Sequence, residues 1–378
     1  MADLPPEMIV DILSRLPVKS LCRFKCVSKS WLTLISHPRF VKMHLNQTQR
    51  EKLFLDAKEC FYSVDLESLS CDVDKVEAVK LDIAPLESDL EVFIRNTWVN
   101  SSNGLLCFNL GKCLWVYNPS TGERKQVPDF CFHYRGKFCF GFSYNDSIDD
   151  YKFVRLNHPG NIVEIYSLRK NSWTSIQHDL CNIRYRFDGI QGFPLNGAIH
   201  WEFYYGDNFK DQSQNKVIIA FDLAKENFKT LQLPITENVR CIVGLFGSYL
   251  CMLGKGIADT YQLWVMKEYG VQESWTKILT FTSPSGFPKP VCYLNNTNIP
   301  MMHKYLEGLV FYNPEHRELK NIEVDVTQGF LVYRYVESLV SPNYNNHFTT
   351  EEKLLEPYWF EVEEQAIQRL SKNTICLT

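Results

Sequence analysis

No stretch of this chain approaches 18 uninterrupted apolar residues, and the opening Met1-Ala2-Asp3-Leu4-Pro5-Pro6-Glu7 has no basic segment leading into an apolar one. Secretion and membrane spanning are therefore not expected, and the expected location is the cytoplasm, the nucleus or both. Catalytic signatures are missing too. There is no Gly-x-Ser-x-Gly elbow, His-Glu-x-x-His pair, phosphate-binding Gly-x-x-x-x-Gly-Lys-Ser/Thr loop or dinucleotide fingerprint, so no catalytic residue and no cofactor is assigned. A large excess of one charge sign is absent as well: the net charge of −4 gives no reason to expect nucleic acid or an anionic membrane as partner. The 13 cysteines are scattered, and Cys22 and Cys26 have no second ligand pair beside them, which favours reduced core thiols over zinc or disulfides. The nine histidines, His200 beside Trp201 among them, read as ordinary strand or core residues.

What is present is enough apolar material for two domains. The chain has 378 residues, 45% apolar and 22% charged, which suits one small unit followed by a large one. The expected division is 1–48, 49–340 and an acidic extension at 341–378, with a helical piece at 365–370. Residues 1–50 hold eight Lys/Arg against three acids, so a basic N-terminal unit precedes an acidic body. A solvated helix face explains that bias as well as an acidic partner does.

In the first unit Ile9, Ile12, Leu13 and Leu16 follow the i, i+3, i+4, i+7 spacing of one helical face, after prolines that a first turn tolerates. Pro17 ends that helix. Leu21 and Phe24 suggest a second, and Val27, Trp31, Leu34 and Ile35 a third, closed by Ser36-His37-Pro38; one or two further turns follow at Phe40, Val41 and Leu45. Three helices in some forty residues bury little surface, so a stabilising partner is expected.

The run Leu4-Pro5-Pro6-Glu7-Met8-Ile9-Val10-Asp11-Ile12-Leu13-Ser14-Arg15-Leu16-Pro17-Val18-Lys19-Ser20-Leu21, then Val27-Ser28-Lys29-Ser30-Trp31, resembles the F-box of plants. The resemblance implies docking onto a Skp-type adaptor that joins a cullin scaffold. Carried over by position, the docking residues are Leu4, Pro5, Ile9, Leu13, Leu16, Pro17, Leu21, Val27 and Trp31, some of them shared with internal packing. Met8 stands where leucine is common, a change that conserves volume.

Beyond about residue 50, short aromatic and β-branched runs alternate with Gly, Pro, Asn and Asp, the pattern of successive strands and turns. An aromatic element recurs at Tyr62, Tyr117, Tyr166, Phe221, Trp264 and Tyr312, in steps of 43 to 55 residues. Asn103-Gly104 and Asn196-Gly197 supply tight turns ahead of strands. The expected class is α+β multidomain: a three-helix N-terminal unit, then an all-β domain read as an irregular β-propeller, with a β-sandwich as the competing arrangement. Residues 149–155 read as a turn entering a strand. Trp173, Trp201, Trp264 and Trp275 read as core aromatics at equivalent places in the repeats.

Several segments resemble the F-box-associated interaction domain, often called kelch-like. They include Ser101-Ser102-Asn103-Gly104-Leu105, Tyr117-Asn118-Pro119-Ser120-Thr121, Asp149-Asp150-Tyr151-Lys152-Phe153-Val154-Arg155 and Asn171-Ser172-Trp173. The resemblance implies a non-catalytic substrate receptor of a ubiquitin ligase that captures a protein target for ubiquitination and degradation. Family members it is similar to include some that restrain immune receptors and others that recognise S-locus ribonucleases, so either kind of target is implied. Target contacts are expected on loops, at 131–137, 183–188, 204–214 and 281–289. Two other readings remain at this level: a propeller enzyme or glycan-binding module with carboxylates converging on a central pocket, and an F-box scaffold outside any ligase.

Overall fold

The computed structural model describes residues 6–47, 50–57, 60–69, 75–83, 99–110, 113–130, 137–158, 162–178, 185–187, 191–205, 216–234, 240–283, 287–294, 297, 299–304, 308–313, 318–326 and 329–343. Leu4 and Pro5, most of the expected target loops 131–137 and 204–214, parts of 183–188 and 281–289, and the acidic segment from 344 onward, with its expected helix at 365–370, lie outside them; within 183–188, Tyr185–Phe187 is a strand rather than a loop.

The N-terminal unit has four helices rather than three: α1 (Pro6–Ser14), α2 (Val18–Phe24), α3 (Lys29–Ser36) and α4 (Pro38–Gln47). Pro38 ends nothing further; it occupies the first turn of α4, where a missing N–H is harmless. The fourth helix escapes a single-stripe reading because it has two buried faces. Phe40 and His44, four residues apart, enter the helical core, while Val41 and Leu45 lie against the β domain. Ser28 caps α3, accepting the Trp31 N–H at 3.2 Å.

The rest is a six-bladed β-propeller, and the sandwich arrangement is not found. Each blade is an antiparallel sheet of four strands, with a short extra one in blades 4 and 6. Blade 2 is formed by Val99–Ser102, Leu105–Leu110, Cys113–Tyr117 and Arg124–Gln126, and blade 3 by Lys137–Asn145, Asp150–His158, Ile162–Ser167 and Ser172–Gln177. Blade 4 has Tyr185–Phe187 and Phe193–Leu195 innermost, then Ala198–Tyr205, Lys216–Asp222 and Asn227–Gln232. Blade 5 comprises Arg240–Phe246, Tyr249–Lys255, Thr260–Met266 and Trp275–Thr282. Blade 6 comprises Lys289–Tyr293, Pro300–Lys304, Gly308–Asn313 and Glu318–Val324. Blade 1 is composite: the last strand, Phe330–Val336, pairs with Glu51–Ala57, followed by Cys60–Asp65 and Val79–Leu81. The ring closes a second time where Lys75–Val76 adds in parallel to the outer strand of blade 6.

Each recurring aromatic lies in the third strand of its blade, so the period in the sequence is the blade itself. The Asn-Gly turns join first to second strands with positive φ at both residues, 48° and 83° at Asn103-Gly104 and 49° and 68° at Asn196-Gly197. Residues 149–155 are the turn and strand entry the sequence suggests, with Asp149 at φ 47°.

Polar side chains stitch neighbouring blades. Indole N–H groups donate to the preceding blade: Trp201 to the Phe140 carbonyl at 3.0 Å and Trp275 to that of Gln232 at 3.0 Å, while Trp173 donates to the Pro128 carbonyl, just past blade 2, at 2.8 Å. Only Trp173 and Trp275 occupy equivalent places, at the start of fourth strands; Trp201 and Trp264 belong to second and third strands. Lys216, almost fully buried, binds Glu202 and the Cys241 carbonyl, and Glu202 also accepts the Val243 N–H at 2.9 Å, tying blade 4 to blade 5. His303 donates to the Phe330 carbonyl at 2.6 Å across the closing seam, and burial pushes its imidazole down to about 4.

Candidate functional site

Antiparallel alternation gives the propeller two faces. First-to-second and third-to-fourth connections lie on one; second-to-third connections and blade exits lie on the other. The chain leaves Val336 and enters Glu51 on the first of these, and the helical unit sits there.

Within that unit the sequence-assigned docking residues separate. Leu13 and Leu21 are buried in the helical core with Val10, Val18, Ile35 and Phe40, so the structure assigns them to internal packing. Ile9, Leu16, Pro17 and Trp31 are half-buried, and Phe24 meets the Trp31 ring edge-on at 5.3 Å. Val27 is 66% exposed. Three apolar residues outside the assigned set, Met8, Ile12 and Leu32, are each about half exposed. Ile12 is the instructive miss. It fits the i, i+3 stripe of α1, yet the buried apolar side of that helix carries Val10 and Leu13, and Ile12 faces out on the same side as Met8, four residues before it. The signal was available: α1 carries more apolar positions than one interior face can take.

The helical core is completed from the far end of the chain. Residues 337–341 run between helices and propeller, and their side chains alternate. Leu339, 3% exposed, enters the helical core, whereas Val340 enters the blade 2 and blade 3 cluster beside Val41 and Leu45. Ser338 is fully buried against Asn118, whose amide donates to the Ser338 carbonyl at 2.9 Å and the Val340 carbonyl at 2.7 Å. The Glu337 N–H donates to the Arg50 carbonyl at 2.8 Å, and its carboxylate pairs with Lys52 at 2.7 Å. Gly104 permits the approach: a Cβ there would lie 2.6 Å from the Val336 carbonyl and closer still to Ser338. His44 donates from Nε2 to the Leu16 carbonyl at 2.8 Å, satisfying the turn after α1, and burial lowers its pKa. At the surface, Lys42 reaches Asp146 of blade 3 at 3.4 Å.

At the axis, inner strands of blades 2, 3 and 4 are knitted by amides. Asn100 donates to the Gly192 carbonyl at 2.8 Å and accepts the Phe142 N–H at 2.8 Å, and Gln191 binds the Val99 carbonyl. His200 is buried in its strand. Its Nδ1 donates to the Phe193 carbonyl at 3.3 Å, so Nε2 accepts from the Tyr269 hydroxyl at 2.7 Å, and burial pushes the ring down to about 4. Both nitrogens of this histidine are occupied by structural partners. Among the described residues no three His, Cys, Asp or Glu side chains gather as metal ligands.

The described strands that flank the four expected target segments end on one face. Segments 131–137, 183–188 and 281–289 are blade exits and 204–214 joins second to third strands, so the strands that flank them end on the face away from the helices.

Comparison with known proteins agrees with this architecture part by part. Residues 1–43 match the F-box domain, and residues 53–342 match the F-box associated beta propeller domain. An F-box/kelch-repeat protein of Arabidopsis thaliana is 28% identical, over 90% of this chain and 96% of its own. F-box protein CPR1 of the same plant is 27% identical, over 90% of this chain and 89% of its own. Helices closed by a residue from beyond the last strand, and a ring of six blades beneath them, are thus one arrangement with two recognised parts: the chain belongs to the plant F-box proteins that carry an F-box-associated β-propeller.

Proposed function

We propose that the protein is the substrate-recognition subunit of a Skp-cullin-F-box ubiquitin ligase. Its helical unit binds a Skp-type adaptor, and through it the cullin, while the propeller face away from the helices holds a protein target for ubiquitination and degradation. The chain contributes position rather than chemistry, raising the effective concentration of target lysines near the ubiquitin donor. The observation that carries this reading is the exposed apolar set Met8, Ile12, Val27 and Leu32 on a small helical unit whose other apolar residues are packed. Side chains of this size stabilise a contact by roughly 1.5–3 kcal/mol each when fully buried. The nine described cysteines are all free thiols, in keeping with a cytoplasmic or nuclear setting.

The test is pull-down of a Skp-type adaptor by the full chain beside Ile12→Asp and Val27→Asp. Both positions are exposed, so the variants should fold as the parent does. Loss of adaptor in the variants, with unchanged circular dichroism, supports the reading. Adaptor binding that survives both substitutions removes these residues from the interface, and absence of binding by the parent chain removes the ligase role.

A further inference from the structure

Among the described residues of the face away from the helices, charge, aromatic support and an exposed apolar side chain coincide in one region. It lies at the ends of blades 5 and 6. Arg240 and Lys255 are directly paired across the first two strands of blade 5, an arrangement of like charges that destabilises a sheet when nothing lies between them. Both cations rest on one pair of rings. The Arg240 guanidinium lies 5.8 Å from the Phe287 ring centroid, and the Lys255 ammonium is 5.7 Å from that of Tyr261; the two rings meet edge-on at 5.0 Å.

Lys289 lies on the neighbouring first strand, in blade 6, with its ammonium 5.6 Å from the Tyr333 ring of blade 1. Its strand packs against the strand that Arg240 begins, and it follows Phe287 by two residues. Lys289 reaches solvent, yet the protein crowded around it pushes its ammonium below the ordinary lysine range. Asp259 pairs with Lys255 at 2.7 Å, but among the described residues no carboxylate pairs with Arg240 or Lys289. This cationic surplus stands on a body that is acidic outside its first fifty residues.

The turn linking Lys255 to Thr260 adds the apolar part. Ile257 at its tip is 93% exposed, the most exposed large apolar side chain among the described residues. Two consecutive non-glycine residues behind it, Ala258 at φ 53° and Asp259 at φ 54°, hold left-handed backbone that L-residues seldom adopt. The turn is braced: Gly256 N–H donates to the Thr260 carbonyl at 2.7 Å, and Ser283 N–H to the Asp259 carbonyl at 3.0 Å. A like-charge cross-strand pair in which only Lys255 has a carboxylate among the described residues, and an exposed isoleucine ahead of two strained residues, both oppose stability, and both become favourable against an anionic, partly apolar partner.

We propose that the ends of blades 5 and 6 dock an acidic segment of the protein target, with Arg240, Lys255 and Lys289 pairing its anionic groups and Ile257 covering an apolar residue beside them. The inference rests on the reading of this face as target-binding. Aspartate and glutamate carboxylates and phosphorylated side chains offer the same chemistry, and the probes separate them.

Fluorescence anisotropy of the full chain would be measured with three labelled twelve-residue peptides that share one central leucine: one rich in glutamate, one with phosphoserines among glutamines, and one of glutamine alone. Binding of either anionic peptide, weakened about tenfold or more by Arg240→Glu with Lys289→Glu and weakened by added salt, is the expected result. Which of the two binds more tightly identifies the source of the anion. Ile257→Ser should weaken binding about threefold at every salt concentration and leave the salt dependence unchanged. Lys170→Glu, on the opposite face, should change nothing. Arg240→Gln should leave Tm unchanged or raise it, because repulsion with Lys255 is relieved.

Anionic peptides that bind no better than the glutamine peptide would overturn the proposal, as would reversal at 240 and 289 that costs no more affinity than reversal at 170. A marked fall in Tm for Arg240→Gln would also overturn it, by giving the cation a role in folding. Adaptor pull-down on the same samples keeps the two readings apart: adaptor binding tests the ligase role, and peptide binding tests this surface.

Discussion

The helices and the propeller solve the burial problem in opposite ways. The propeller closes on itself. Its last strand completes its first blade, a second short strand clasps blade 6, and side chains such as Trp201, Lys216 and His303 hold one blade to the next. The helical unit is left incomplete on two sides, borrowing Leu339 for its core and leaving Met8, Ile12, Val27 and Leu32 in solvent. Exposed large apolar side chains are concentrated on the small helical unit, at Met8, Ile12, Val27 and Leu32, whereas in the propeller they are spread over the blades, as at Val79, Ile162 and Ile257.

The strongest way to break this contrast is Leu339→Asp, which removes a side chain from the helical core and puts a charge in its place. It is expected to destabilise the helices by more than about 4 kcal/mol. Limited proteolysis should then cut within residues 6–47 while the propeller stays resistant, and adaptor binding should be lost. Equal protection of both parts would mean that the helices stand without the strap.

Acid acts on the other side of the comparison. His200 and His303 have folded pKa values of about 4, below the ordinary 6.5, so the stability they confer is complete above about pH 6.5 and is lost as pH falls towards 4. Each contributes at most about 3 kcal/mol. Tm of the propeller should fall over that window, and His303→Gln should flatten the slope; a Tm that stays level from pH 6.5 to 4 would contradict the buried neutral state. The smallest expected effect is that of Lys42→Ala. It removes the exposed ion pair with Asp146, worth about 0–1 kcal/mol, and should leave both Tm and adaptor binding nearly unchanged.

Much of this was legible in the sequence because it is local. Proline positions set the bounds of α1 and α3, Asn-Gly pairs set the tight turns, and the aromatic period marked the third strand of every blade. What was not legible depends on distant partners. The surplus of apolar positions on α1 says that one of them must face out, but not that it is Ile12 rather than Leu13; Leu13 and Leu21 share their core with Leu339, from the far end of the chain. The second buried face of α4 is meaningful only against Val340. Trp264 looks like its fellows in the text, yet only Trp173 and Trp275 share a blade position, because register within a blade decides the matter and an aromatic in a strand does not reveal which strand it is in. The basic surface was invisible for the same reason, since Arg240 and Lys255 meet only through strand pairing and ring packing, and Lys289 is brought to the adjacent strand by the packing of blade 6 on blade 5.

The strap also has a meaning in time. During synthesis the N-terminal helices leave the ribosome first, and the leucine that completes their core emerges only after all six blades. A chain that stops early, or whose propeller fails to close, presents an N-terminal unit with a hole in it. The arrangement therefore ties adaptor docking to completion of the whole molecule, so that a receptor unable to hold a target is also poorly fitted to enter the ligase and occupy its place.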